Sequence, residues 1–152
     1  RVPARLYSGP DSVDVTLAMG DIKAPGAAEV AAPYFMRALE KTQSLEWSLD
    51  QVFDQLVLGR WAFYWVVTEK PLIGTGVIVG AGVVAIQQYG QRRVLEVVLF
   101  SADDHTKTWE SALNSLKGIA KGYRCSAIRF EGRPGWEKVL GVKRLNVFET
   151  EV

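Results

Sequence analysis

Residues 92–152 allow few orders of secondary structure, and that order limits the fold more than any other feature of the chain. The apolar run Val94–Phe100 predicts a strand, entered through the polar turn Gly90–Arg93. The acidic stretch Ser101-Ala102-Asp103-Asp104-His105-Thr106 follows, in which Ser101 or Asp104 can cap a helix starting near Lys107. On that helix Trp109, Leu113, Leu116 and Ala120 form the expected buried stripe, with Ala112 and Ile119 at its margins and Gly122 as its stop. A strand around Ala127, Ile128 and Phe130 comes next. Gly132-Arg133-Pro134-Gly135-Trp136 then opens a short helix that ends at Gly141, and Arg144–Val152 reads as an edge strand. A strand, a helix and a strand in this succession require a crossover, so the strands on either side of the long helix are expected to lie parallel.

Upstream, the clearest helix runs from a Ser48-x-x-Gln51 capping box through Leu49, Val52, Phe53 and Leu56 to a stop at Gly59. Asp50 and Asp54 fall on its wet face, where Asp50 also favours the helix N-terminus. Tyr34–Lys41 reads as a short helix after Pro33. Trp61–Val67 is apolar on both faces, as a central strand is. Residues 72–89 form another strand region, with Gly74, Gly76, Gly80 and Gly82 within it. Those glycines lack the G-x-x-x-x-G-K-[ST] spacing of a phosphate loop and no helix follows them, which predicts a kinked or bulged strand that another element approaches closely.

Residues 1–33 have a different texture, with four of the six prolines and few helix signals. Between the breaks lie two β-like pieces, Ala4–Tyr7 and an alternating Ser12–Leu17. Two readings compete here. One is a strand on the edge of the chain's own sheet. The other is an extended arm that orders on a neighbouring subunit through Leu6, Tyr7, Val13, Val15 and Leu17. The expected division is therefore an arm over 1–33 and one domain over 34–152, with a mixed α/β (α+β) sheet flanked by helices.

Charge and composition exclude several functions. With 18 basic and 17 acidic residues the net charge is +1, too little to gather nucleic acid or an anionic membrane. The run Val77–Ile86 is too short and too rich in glycine to span a bilayer. One Cys and one His leave no intrachain disulfide and a poor donor set for a metal. His105 beside Asp103 and Asp104 reads as part of a capping turn, and Cys125 as a small buried residue. Glu96, in the central strand, is the general-base candidate if the chain is an enzyme; its alternative role is an ion pair with Arg93 or Arg129. Trp136 reads as packing and Arg133 as a rim contact to a partner.

The order strand, strand, central strand, long helix, strand, short helix, strand resembles the GNAT acyltransferase fold over roughly the last ninety residues. Arg92 and Arg93 before the central strand, Trp109, Cys125 and the Gly132–Trp136 turn are more similar still to phage-encoded GNAT-like virion proteins. That family's enzymes hold the coenzyme A diphosphate on a Gln/Arg-x-x-Gly-x-Gly/Ala loop, where this chain has two aspartates and no glycine. The short helix also lacks the Tyr that often serves as general acid. The resemblance thus implies a scaffold kept without its cofactor: a non-enzymatic virion adaptor, found in particles and in the host cytoplasm during assembly. It would form a ring and dock on portal or tail proteins. The alternatives are a GNAT-type N-acyltransferase using acetyl-coenzyme A and a free host-takeover interaction protein.

Overall fold

A computed structural model describes residues 14–41, 47–68, 76–103, 108–130 and 148–152. The elements are β1 (Val15–Met19), α1 (Ala27–Lys41), α2 (Leu49–Val57), β2 (Ala62–Thr68), β3 (Ile78–Tyr89), β4 (Arg92–Ala102), α3 (Thr108–Gly122), β5 (Ala127–Phe130) and β6 (Phe148–Glu151). The strands form one sheet in the order β1-β2-β3-β4-β5-β6. Among the described residues only β4 and β5 run parallel, joined across α3 as the crossover rule requires. Helices α1 and α2 cover one face, where Phe35, Val52, Phe63, Val83 and Leu99 are buried together. Helix α3 covers the other, over Tyr64, Leu95, Val97, Ile128 and Phe130.

Two bulges shape the centre of the sheet. In β3 the register skips Val79 between Val66↔Gly80 and Val67↔Ile78. In β4 it skips Val98 between Val83↔Leu99 and Val84↔Val97, so Val98 and Leu99 both pack on the α1–α2 side. The glycine signal has the expected cause at Gly80. A Cβ there would collide with the Ser101 carbonyl of β4, so only glycine lets the two strands approach.

Helix α2 has the expected ends. Ser48 and Gln51 form the capping box, with bonds of 3.2 Å and 2.8 Å, and Gly59 takes the left-handed conformation at φ 75°.

Helix α1 departs from expectation. It begins at Ala27 and passes straight through Pro33 instead of starting after it. The stripe Ala27, Ala31, Phe35 and Ala38 is buried along its whole length, and Pro33 lies on the exposed face. A backbone carbonyl freed there can take water, and packing outweighs the proline.

At the start of the chain the structure decides between the two readings in favour of the edge strand. Val15–Met19 is not an arm but the edge strand, antiparallel to β2 with Val15↔Thr68 and Met19↔Tyr64 in register. Its N–H groups at Val15 and Leu17 donate to the Ser111 and Ser115 hydroxyls of α3 at 2.9 Å and 3.0 Å. The two serines are one helical turn apart, which matches the two-residue repeat of the strand. Residues 1–13 lie outside the described residues.

On α3 the buried line is Ala112, Leu116 and Ala120, one step round from the predicted stripe. Trp109 and Leu113 sit at the margin, the Trp109 ring packing on Phe100 at 4.7 Å between centroids with the planes tilted by 40°. Ala112 packs with Val15 of β1, the strand that Ser111 and Ser115 tie to this helix.

The last helical residue is Gly122, as expected, but the left-handed residue that closes the turn is Arg124 (φ 62°). Cys125 N–H donates to Ala120 O and Arg124 N–H to Lys121 O, the paired bonds of a Schellman turn. A side chain in this conformation costs roughly 1 kcal/mol. Arg124→Gly is therefore expected to stabilise the fold by about that amount, read from the shift of a urea unfolding midpoint.

Candidate functional site

The sheet opens where its parallel pair ends. β4 and β5 are in register from Val94↔Ala127 to Val97↔Phe130. β4 then runs on through the Val98 bulge to Ala102, and its β5-side edge has no partner there among the described residues. Backbone N–H and C=O groups along such an edge can take an extended ligand as an added strand.

Glu96 lies one pleat before the bulge, half-buried, opposite Ala85 and Arg129 in the register. Leu95 and Val97 point into the α3 core, so Glu96 projects from the other face, beside the opening. The expected ion pairs are not its contacts. Its carboxylate accepts a hydrogen bond from Gln87 Nε2 at 3.5 Å. Arg93 is three residues away and projects to the α3 face beside Cys125. The Arg129 guanidinium lies over the Tyr89 ring, 4.7 Å from its centroid.

A second group closes the far end of β4. The Asp103 N–H donates to the Val79 carbonyl of the β3 bulge at 2.7 Å, which fixes the strand end. Its carboxylate is held by α1: Arg37 Nη1 stands 3.3 Å from Oδ1, and the Tyr34 hydroxyl donates to Oδ2 at 3.4 Å. Burial, and then the Asp103 charge, push the Tyr34 hydroxyl above its ordinary range, so it stays a donor. Nothing local in the sequence links α1 to residue 103. The pairing follows from the Ala31–Phe35–Ala38 stripe, which seats α1 on the sheet and turns Tyr34 and Arg37 toward the strand end.

The remaining candidates are placed as follows. Val15 is buried against Val66, Val79 and Ala112, and Leu17 packs partly into the same core, so both fill the chain's own interior. Leu6, Tyr7, Val13, Asp104, His105, Arg133 and Trp136 lie outside the described residues. Cys125 is buried, and burial pushes its thiol up, an effect that Arg93 partly offsets. The Tyr64 hydroxyl, deep in the α3 core, is pushed strongly up by burial and by its contact with Tyr123 at 3.5 Å. Neither group adjoins the opening.

No protein-family model matches the sequence, and no curated protein matches it. Solved structures do resemble it in fold. An acetyltransferase from Thermus thermophilus has a TM-score of 0.62 at 12% identity, over 93% of this chain and 99% of that one. A chain of the NatC complex bound to Gag peptide and CoA has a TM-score of 0.58 at 10% identity, over 90% and 96%. A domain from Methanocaldococcus jannaschii has a TM-score of 0.58 at 12% identity, over 91% and 100%. At these identities the likeness concerns the backbone alone. With its mixed six-stranded sheet, the parallel pairing of β4 with β5 and helices on both faces, the chain has the GNAT-like acetyltransferase fold.

Proposed function

We propose that the chain is an N-acyltransferase that uses an acyl-coenzyme A thioester, with Glu96 as the general base toward an acceptor amine. The observation that carries this reading is the opening of the sheet after Val97 and Phe130, with Glu96 beside it. The amide-bearing arm of the donor suits the open edge of β4 over Val98–Ala102, by pairing with backbone groups. The anionic end of the donor would lie beyond Ala102. The Asp103 carboxylate alone does not suit it, and the Arg37 guanidinium beside that carboxylate does.

A thioester supplies an activated carbonyl: the amine nitrogen forms the new C–N bond, the C–S bond breaks, the amine proton passes to the Glu96 carboxylate and the sulfur leaves as thiolate. Glu96 is suited to this work because a neutral amide, Gln87, holds it in place and the residue is only half-buried.

The non-enzymatic virion scaffold is the second reading. It is favoured by the acidic residue at the end of β4, where a diphosphate would need positive charge. Thiol release separates the two. The chain, acetyl-coenzyme A and a panel of peptide and small amines should together release free thiol only when amine is present. A scaffold releases none.

A further inference from the structure

We propose that Arg37 grips the anionic end of the donor and that Asp103 is its built-in competitor, so that breaking one ion pair gates donor binding. The inference rests on the acyltransferase reading and deepens it.

Its basis is where the pair stands. Asp103 directly follows Ala102, at the carboxyl end of the parallel strand whose crossover helix, α3, begins at Thr108. In sheets with such crossovers, ligands sit outside the carboxyl ends of the strands. Arg37 reaches this place from α1, on the α1–α2 face, and is the one cation that the structure ties to the strand end among the described residues. Both carboxylate oxygens of Asp103 are engaged, one by Arg37 and one by Tyr34, so the carboxylate sits where a second anion would have to replace it.

The contact is built to yield. The two side chains remain 38% and 44% exposed, and ion pairs this open to water are weak. A phosphate offers the guanidinium two parallel charge-assisted bonds and more charge than a carboxylate. When Arg37 turns to the donor, Tyr34 keeps its hydrogen bond to Asp103 and steadies the remaining charge. The competitor has a definite consequence: removing a negative residue from the strand end should tighten donor binding, although that residue contributes to folded contacts.

The test is calorimetric titration of coenzyme A into wild type, Asp103→Asn, Arg37→Ala and Arg37→Lys, at low and high salt, with thermal melts as the folding control. Asp103→Asn should bind about fivefold tighter, Arg37→Ala about tenfold weaker, and Arg37→Lys in between, with the differences shrinking at high salt. Wild-type binding with Asp103→Asn unchanged or weaker overturns the inference and leaves the acyltransferase reading standing. So do differences that salt does not alter. No binding by wild type or by any folded variant overturns both. Binding that first appears in Asp103→Asn supports the inference, because it is the gain expected when the competitor is removed.

Discussion

Replacing Glu96 with Gln is expected to lower the rate of amine-dependent thiol release by about 10²–10⁴-fold, the usual contribution of a positioned general base. Donor binding should be nearly unchanged, because Gln is isosteric and lies before the open edge of β4, not along it. The fold should also be unaffected. Glu96 is half-buried, its contact with Gln87 is a long one at 3.5 Å, and a Gln side chain keeps an acceptor there. A loss of kcat without a change in KM for the donor is the signature sought. An unchanged kcat would make Glu96 a solubilising residue of the sheet and remove the chemistry from the proposed site.

Phe35→Ala should cost about 3–5 kcal/mol, as other buried aromatic truncations do. Phe35 is fully buried where α1, α2 and β2 meet, with ring centroids 5.7 Å from Phe53 and 6.0 Å from Phe63. Domains of this size have only ~5–15 kcal/mol to lose. The same residue fixes the rotation of α1, so a surviving fold should also hold Arg37 less well at Asp103. Urea unfolding measures the first effect. A loss below about 1 kcal/mol would mean that α1 does not seat on the sheet through this stripe.

Signals in the sequence are legible where they act locally. The Ser48–Gln51 capping box, the Gly59 stop and the crossover from β4 through α3 to β5 depend on residues close together in the chain. The glycines of β3 announce a close approach, although the Ser101 carbonyl that causes it lies in another strand. Expectation and structure part where tertiary packing overrides a local rule. Pro33 is a strong helix breaker, yet a buried stripe on the opposite face carries α1 past it. Val15 and Leu17 suit an arm as well as an edge strand, and their local pattern does not choose between the two. Only Ser111 and Ser115, almost a hundred residues away, turn that strand inward. Trp109 looks like the anchor of α3, but the helix seats through Ala112, Leu116 and Ala120, and Trp109 stays at the margin.

The candidate site is legible only in part. Glu96 stands out as a lone acid in an apolar strand. Its position at the opening depends on the Val98 bulge and on where β5 stops, and neither leaves a mark in the composition. The Asp103–Arg37 pair spans 66 residues and has no sequence signal at all. By itself the aspartate argues for a lost cofactor site; with its partner it belongs to a neutral pair that a stronger anion can open.

Titration of acetyl-coenzyme A into the purified chain tests the central claim most directly. The acyltransferase account predicts saturable binding of one donor per chain, with Kd in the micromolar range or about −8 kcal/mol. No heat from wild type or from folded Asp103→Asn at donor concentrations up to about 1 mM, where binding would be weaker than roughly −4 kcal/mol, would contradict it and favour the scaffold.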